Sequence, residues 1–354
     1  MATKRQKRAS HAPATLADVA RKAGVSPTAV SFVLNENGQR NKHVSEETRA
    51  KVLQAMQDLN FRPDALAQAL SKGQRKEIAL ILWPNLSPVM ADFYVIELMT
   101  SLQRPAASYG YACIFYPSED LSVEQRRSLH ETIFARRPLG ILASPTTFTT
   151  EDVALARQMG VKHIIFLADH SVPIEQTYSI VFPVWALGYL AAQHLLERGH
   201  HHLALVQPDN AFLKAGFLQR LEGMRAAIDG KPGITLDILP LSFSATAARS
   251  LVETKLLGPH RPTGIYTFND ELAVVLLGAL TRLRIQVPQE VALVGTDNLP
   301  IGEVVWPSLT SMRFDTLDIG PRAVEMFHIL QQGLPLPEKL SRPLVPQLIQ
   351  REST

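Results

Sequence analysis

Basic side chains are concentrated in the first quarter of this 354-residue chain. Residues 1–76 contain fourteen Lys or Arg and six Asp or Glu, a net charge of +8. The whole chain has 36 Lys or Arg and 33 Asp or Glu, so the remainder has 22 and 27, a net charge of −5. Clustered Lys and Arg neutralise phosphates, which supplies most of the sequence-independent affinity for nucleic acid. The charge pattern predicts an N-terminal region that contacts a polyanion, although the run KRQKR at residues 4–8 is equally compatible with a solvated chain end.

Other chemically reactive residues do not form a recognisable centre. His200, His201 and His202 follow a predicted helix end, and adjacent side chains cannot all point at one ion, so we expect no metal site and no cofactor. The single cysteine, Cys113, cannot form an internal disulfide, which indicates a reducing compartment such as the cytoplasm. Sequence patterns of serine hydrolases, zinc proteases and phosphate-binding loops are missing, so no catalytic residue is predicted.

Composition predicts a globular protein of two or three domains. Hydrophobic residues make up 46% and charged residues 19% of the chain, which can bury a large core. No apolar run approaches the roughly 20 residues that span a bilayer, and the N-terminus has no apolar signal core. We therefore expect a protein that is neither secreted nor membrane-spanning.

The N-terminal region has the pattern of a helix-turn-helix. Thr15 and Asp18 form a capping-box pattern at the start of a helix over about 16–23, which Gly24 ends. Ser26 and Pro27 favour the start of a second helix, over about 27–34. Two short helices joined by such a turn are typical of a unit that places its second helix in the DNA major groove.

A third helix begins after Ser45, and a short apolar segment follows it. Residues 65–71 (ALAQALS), between Pro63 and Gly73, are too few to form a stable helix alone in water. Residues 64–76 are interpreted as a hinge whose helix forms only when docked.

From residue 77 onward the chain alternates apolar runs with amphipathic segments. This rhythm predicts parallel sheets covered by helices on both faces, in two doubly wound α/β lobes. Predicted strands are 77–83, 111–116, 139–143, 163–168, 203–207, 264–268 and 291–295. Predicted helices are 94–109, 122–135, 151–159, 186–198, 213–229, 244–257, 269–284 and 317–332.

Several motifs together resemble the lactose-repressor (LacI/GalR) family of bacterial transcriptional regulators. They occur in the family's order and cover nearly the whole chain. The motifs are TLADVARKAGVSPTAVSFVLN (15–35), VSEETRAKVLQAMQDLNFRPDALAQALSKGQ (44–74), HLLERGHHHLALV (194–206), RLEGMRAA (220–227), PTGIYTFNDELAVVLLGAL (262–280), QVPQEVALVGTDNLPIGEVVWPSLTSMR (286–313) and REST (351–354). The resemblance implies an all-α helix-turn-helix head and a bilobed, periplasmic-binding-protein-like effector domain.

The resemblance also implies the residues that contact DNA. The recognition helix is the one that begins at Pro27, and its family positions face bases and phosphates. Many members have Arg or His where this chain has Phe32, so contact with a thymine methyl replaces a hydrogen bond to guanine. The alternative is that Phe32 is a core aromatic residue. The implied contacts are Thr15, Leu16, Ser26, Pro27, Thr28, Ala29, Ser31, Phe32 and Asn35.

In the hinge, Leu70 matches the leucine with which relatives wedge open the minor groove, and Ala67 lies on the adjoining face. Such a wedge unstacks a base step and bends the duplex. The alternative is that the apolar residues of this segment are simply one side of a linker helix.

The resemblance places a small effector between the two lobes. Arg220, Asn269 and Asp297 match effector positions, and their guanidinium, amide and carboxylate groups suit a hydroxyl-rich ligand such as a sugar or nucleoside. Each has an ordinary alternative: a surface helix cation, a helix N-cap and a loop residue. Tyr266 belongs to the same predicted set, and Phe93 and Tyr94 resemble an aromatic pair that packs on the ligand. The family's usual Asp-Asn pair is replaced by Pro183 and Val184, which weakens the expectation of a sugar.

These observations predict a homodimeric repressor that binds palindromic double-stranded operator DNA and responds to a small molecule. The expected segments are a basic tail (1–14), a DNA-binding domain (15–63), the hinge (64–76) and the effector domain (77–354). Since the chain ends at REST without a heptad tail, we expect dimers and not tetramers. The alternatives are a bilobed ligand-binding protein or enzyme with an accessory DNA-binding head, and an architectural DNA binder without an effector.

Overall fold

The computed structural model describes residues 14–34, 44–61, 76–81, 93–116, 121–168, 173–210 and 213–354. The chain divides into two compact units, Met1–Arg75 and Lys76–Thr354. The predicted hinge helix and the basic tail lie outside the described residues.

The first unit contains three helices around a small apolar core. They are α1 (Leu16–Ala23), α2 (Pro27–Leu34) and α3 (Glu46–Asp58). The side chain of Ser45 caps α3 by accepting a hydrogen bond from the Thr48 backbone N–H. Each helix contributes two buried apolar residues to the core: Val19, Ala20, Val30, Val33, Val52 and Ala55. The helix bounds predicted for α1 and α2 are confirmed.

The second unit contains two sheets and the helices that cover them. The strands are β1 (Glu77–Ile81), β2 (Ala112–Tyr116), β3 (Gly140–Ala143), β4 (His163–Ala168), β5 (Tyr178–Val181), β6 (His202–Pro208), β7 (Thr235–Leu241), β8 (Gly264–Thr267), β9 (Ala292–Thr296), β10 (Thr310–Arg313) and β11 (Gln347–Ile349). The helices are α4 (Phe93–Ser108), α5 (Val123–Ala135), α6 (Thr150–Gln158), α7 (Val184–Glu197), α8 (Lys214–Ile228), α9 (Ala245–Leu251), α10 (Asp270–Arg282), α11 (Ile301–Val304), α12 (Ile319–Gln331) and α13 (Glu338–Ser341).

The first sheet has the strand order β2-β1-β3-β4-β5 and is parallel throughout. Successive residues of its strands alternate between two buried clusters, as strand geometry requires. Ile78 and Leu80 belong to the cluster that includes α12, whereas Ala79 belongs to the cluster that includes α5 and α6. This sheet is therefore buried on both faces, as predicted for a doubly wound lobe.

The second sheet has the order β11-β10-β9-β8-β6-β7 and is parallel except for β11, which runs antiparallel to β10. Its strand order reverses between β6 and β8. The connections that leave these two strands diverge, which opens a crevice at their carboxyl ends where doubly wound sheets bind ligands.

The chain passes between the lobes at three neighbouring segments. The ring of Phe182, just after β5, stacks on Phe314, just after β10, with 5.5 Å between centroids. The third passage includes Leu344. Its N–H donates a hydrogen bond to the Val181 carbonyl oxygen of the first passage at 3.1 Å. Phe314 packs against the buried clusters of both lobes.

The α/β fold and both doubly wound lobes are confirmed, but four strands were not predicted. β5, β10 and β11 have only three or four residues, and β7 contains Pro240, so their sequence signals are weak. The segment predicted as one helix over 244–257 is α9 followed by a π-helical turn, Val252–Leu256.

Candidate functional site

Local hydrogen bonds define both helices of the predicted DNA-binding motif. The Thr15 hydroxyl oxygen accepts from the Asp18 N–H at 3.3 Å, while the Thr15 N–H donates to the Asp18 carboxylate at 2.9 Å. The Thr15 hydroxyl also donates to the Asp18 carboxylate at 2.6 Å, and the hydrogen bonds from the Thr15 hydroxyl and backbone N–H lower the pKa of Asp18. Gly24 ends α1 in the left-handed conformation at φ 67°, and the Ser26 hydroxyl oxygen accepts from the Ala29 N–H at the start of α2.

Helix α2 has one buried side and one accessible side. Val30 and Val33 are buried, whereas Thr28 and Phe32, one turn apart, are exposed. Ala29 and Ser31 are half-buried. Phe32 is 41% exposed, so the alternative of a core aromatic residue is wrong. Helix α2 thus presents a small polar group and an apolar ring on the same face.

Several predicted site residues lie outside the described residues. They include three of the predicted DNA contacts: Asn35, Ala67 and Leu70. The backbone of Phe93 and Tyr94 forms the first turn of α4, but their side chains are not among those described.

Arg220 is a buried cation on α8 beside the crevice. Its guanidinium carbon lies 4.0 Å from the centroid of the Phe268 ring, a cation–π contact. One terminal nitrogen donates to the Gly216 carbonyl oxygen at 3.3 Å. Within the described part of the chain, the buried Nε has no hydrogen-bond partner. Arg220 is only 6% exposed, so the alternative of a surface cation is wrong.

A close helix crossing fixes the backbone of Arg220. A Cβ atom on Gly188 of α7 would lie 2.0 Å from the Arg220 carbonyl oxygen, and one on Gly223 of α8 would lie 2.1 Å from the Trp185 carbonyl oxygen. Both contacts are far shorter than atoms tolerate, so only glycine lets α7 and α8 approach this closely.

Tyr266, at the end of β8, is fully buried below the same edge of the sheet. Its hydroxyl oxygen accepts a hydrogen bond from the Thr296 hydroxyl at 2.8 Å. Burial raises the pKa of Tyr266; the charge of Arg220 opposes this shift and that of Asp297 adds to it. Tyr266 therefore supports the floor of the site, and both charged groups are close enough to influence it.

Asn269 follows β8 and is the N-cap of α10. Its Oδ1 accepts from the Leu272 N–H at 3.0 Å, and its Nδ2 donates to Glu271 at 2.9 Å. The capping alternative is confirmed by these bonds. The side chain stays half-buried.

Asp297 follows β9 on a turn with unusual backbone geometry. Its φ is 98° and that of Asn298 is 53°, both in the left-handed region. The Asp297 N–H donates to the Met312 carbonyl oxygen at 2.8 Å. Because β6, β8 and β9 are adjacent in the sheet, the connections after them bring Arg220, Asn269 and Asp297 to one edge. A cation, an amide and a carboxylate at this edge are suited to hydrogen bonding with hydroxyl groups.

One residue at this edge was not predicted. Asp270, directly after Asn269, is completely buried, and its carboxylate accepts hydrogen bonds from the Leu299 N–H and the Ser311 hydroxyl. An acidic residue in the first turn of a helix is ordinary, so the sequence offered no signal for this role.

The three consecutive histidines point at different partners. His200 contacts the Thr263 hydroxyl, His201 the Gly199 carbonyl oxygen and His202 the Asp237 carboxylate. Over the described ranges, no group of three or more His, Cys, Asp or Glu could hold a metal ion.

The departure at Pro183 and Val184 changes how α7 begins. Pro183 occupies the N-cap without a side-chain hydrogen bond, and Val184 is buried in the core of the first lobe. The start of α7, at the passage between the lobes, is therefore apolar and has no side-chain cap.

Comparisons with known proteins agree with both units. Residues 15–64 match the family model for bacterial regulatory proteins of the lacI family, and residues 192–354 match a periplasmic binding protein-like domain. The ribose operon repressor of Escherichia coli K12 is 29% identical over 346 residues, which cover 96% of this chain and 99% of that protein. The transcriptional repressor PurR of Vibrio vulnificus is 28% identical over 319 residues, which cover 88% and 90%.

Solved structures share the fold. The lac repressor dimer bound to operator and an anti-inducer is 24% identical with a TM-score of 0.78, and the match covers 97% of this chain and 99% of that one. A LacI-family regulator from Enterococcus faecium with bound ribose is 23% identical with a TM-score of 0.65, covering 79% and 98%. Among the described residues, no helix is long and apolar enough to cross a membrane.

Proposed function

Because this chain belongs to the lacI family of bacterial regulatory proteins, we propose that it is a transcriptional repressor, not an enzyme. It binds two-fold symmetric operator DNA as a homodimer and is switched by a small molecule of the sugar or nucleoside class. Such a protein acts in the cytoplasm. The observation that carries the proposal is that one chain combines a helix-turn-helix with an exposed recognition face and a two-lobed unit with a buried, incompletely bonded Arg220 at its crevice.

The proposed roles follow the predicted segments. The tail (1–14) and the DNA-binding domain (15–63) contact DNA, the hinge (64–76) joins them to the effector domain, and residues 77–354 bind the effector and dimerise. On α2, Thr28 and Phe32 face bases, and their neighbours Ser26, Pro27, Ala29 and Ser31 position the helix on DNA. Thr15, Leu16 and Asn35 add contacts around it, and Ala67 and Leu70 supply the minor-groove wedge.

The effector site is proposed to lie between the lobes. Arg220 and Asp297 bind hydroxyl groups from two sides, Asn269 supplies an amide, and Tyr266 supports them from below. Phe93 and Tyr94 close the site from the first lobe. A free Arg220 Nε–H in a buried position favours a ligand that brings an acceptor oxygen, because an unsatisfied buried donor is costly.

Ligand closure is proposed to shift the population of arrangements in which the two heads reach both half-sites. A ligand achieves this only by binding the two arrangements with different affinity.

Selection of DNA fragments by the purified full-length protein tests the proposal. We expect an enriched site with two-fold symmetry whose affinity falls steeply with salt, because phosphate contacts release counterions. Enrichment of no sequence, or of a site without symmetry, would contradict the proposal. Turnover of a small molecule by the same preparation would favour an enzyme instead.

A further inference from the structure

The turn that carries Asp297 adopts a conformation that needs support. Asp297 and Asn298 both have positive φ, an unfavourable region for residues with side chains. Such geometry persists only where surrounding contacts impose it, and it concentrates at ligand-binding positions. The groups that impose it are therefore part of how the site is built.

Three successive backbone amides of this turn are hydrogen-bonded. Asp297 donates to the Met312 carbonyl oxygen at 2.8 Å, and Asn298 donates to the Ser311 hydroxyl oxygen at 3.0 Å. Leu299 donates to Asp270 Oδ2 at 2.7 Å. Only the first of these bonds belongs to ordinary strand pairing, because the other two end on side chains.

Asp270 controls both of those side-chain bonds. It accepts the Leu299 bond directly, and its other oxygen accepts from the Ser311 hydroxyl at 2.7 Å. That bond orients the Ser311 hydroxyl proton toward Asp270, which leaves an oxygen lone pair to accept from Asn298. One carboxylate thus orders two of the three amides.

The neighbouring backbone makes room for this carboxylate. A Cβ atom on Gly295 would lie 2.0 Å from Asp270 Oδ1. Asp270 is 0% exposed, at the N-terminal turn of α10 where the helix dipole favours a negative charge. On the outer side, the Arg351 guanidinium donates to the Asn298 side-chain oxygen at 2.7 Å and to Glu303 at 3.0 Å, which holds the same turn from the chain terminus.

We propose that Asp270 is a positioning residue of the effector site: its carboxylate fixes the turn that presents Asp297, while its own backbone follows Asn269. Two ligand contacts from separate strands are thereby set at a fixed spacing by one buried group. The ligand-binding part of this inference rests on the proposed function, whereas the ordering of the turn can be measured without any ligand.

The first measurement is hydrogen–deuterium exchange of the 296–304 segment in the full-length protein. Asp270→Asn keeps the side-chain size but cannot accept both bonds, and Ser311→Ala removes only the bond to Asn298. Asp229→Asn, an exposed aspartate in the same lobe, is the matched control. We expect exchange in this segment to be about tenfold faster in both site variants and unchanged in the control, with exchange in β8 unchanged in all.

The second measurement is binding of D-ribose and adenosine as probes, together with operator affinity without a probe. For a probe that binds the unaltered protein, Asp270→Asn should raise Kd by about tenfold while probe-free operator affinity stays the same. A role limited to overall stability would not separate these two affinities.

The outcomes distinguish the two proposals. Unchanged exchange in the 296–304 segment of a folded Asp270→Asn or Ser311→Ala protein would overturn the positioning role, as would an unchanged Kd. If no probe binds the unaltered protein, none of the probes is the effector, and the exchange result alone decides on Asp270. If Asp270→Asn does not fold, Ser311→Ala supplies the same decision.

Discussion

The two candidate functional regions of this protein are built in opposite ways. In the helix-turn-helix, the proposed base contacts Thr28 and Phe32 are exposed side chains on α2. The starts of α1 and α2 are set by residues within a few positions, Thr15 with Asp18 and Ser26 with Ala29. At the crevice, the proposed ligand contacts are held by residues far away in sequence, such as Asp270 with Ser311. A surface that reads DNA therefore tolerates local construction, whereas a site that encloses a small molecule requires long-range positioning.

The pKa values of carboxyl groups in the two regions are also shifted in opposite directions. Hydrogen bonds from Thr15 lower the pKa of the exposed Asp18, so its contribution to stability is present above its unfolded pKa and is lost as pH falls through the folded value. Burial raises the pKa of Asp270 to about 7, against the hydrogen bonds and the charge of Arg351 that lower it. Its contribution is full below its unfolded pKa and is lost as pH rises toward about 7.

The largest expected effect tests this contrast through Asp270→Asn. As the pH rises from about 4 to about 7, the free energy of unfolding of the second unit should fall in the unaltered protein relative to Asp270→Asn, by up to about 1.4 kcal/mol per pH unit. Above that range the difference between the two proteins should level off. Denaturant unfolding at several pH values measures the difference. Parallel pH curves for the two proteins would show that the buried carboxyl does not titrate there, and Asp229→Asn is the control.

A pair of glycine substitutions tests the close helix crossing that fixes the backbone of Arg220. Gly188→Ala should destabilise the second unit by about 3 kcal/mol because its Cβ would overlap the Arg220 carbonyl oxygen. Gly278→Ala on α10, where a Cβ meets nothing within 4 Å, should instead stabilise by about 0.5–1 kcal/mol. Thermal unfolding compares them, and equal effects would contradict the close crossing.

A substitution of Arg220 distinguishes ligand binding from operator binding. Arg220→Met keeps an unbranched apolar stem but removes the guanidinium donors, so binding of an effective probe should weaken about 100-fold while operator affinity without the probe is unchanged. Isothermal titration calorimetry measures the affinity for that probe, and a gel-shift assay measures the affinity for the operator. Loss of both affinities together would mean that Arg220 supports the fold and not the ligand.

The smallest expected effect concerns the exposed side of α2. Phe32→Ala should weaken binding to the selected operator by about tenfold, leave non-specific DNA binding unchanged, and alter the unfolding free energy by less than about 0.5 kcal/mol. Leu53→Ala, at an exposed leucine on α3, is the control for loss of apolar surface. Equal operator affinity for Phe32→Ala and the unaltered protein would remove Phe32 from the reading face.

The sequence predicted locally determined features well and missed features that depend on long-range contacts. Caps, glycines and helical periodicity fixed α1 and α2 to the residue, and apolar runs located the long parallel strands. Edge strands such as β7 and β11 were missed because pairing with one neighbour leaves little apolar signal. Family resemblance indicated Arg220, Asn269 and Asp297, but Asp270 was missed because its role depends on a contact with Ser311 that only the folded chain creates.

The stacked rings of Phe182 and Phe314, together with the backbone bond that joins Leu344 to Val181, give the second unit three parallel connections bound into one strip. Two bodies joined by a single strand can swivel freely, but three linked strands resist twisting and sliding, and they permit bending about one axis. On the proposed function, a ligand that draws the lobes together would act mainly on this one rotation, which two copies of the chain could convert into a change of spacing between their ends.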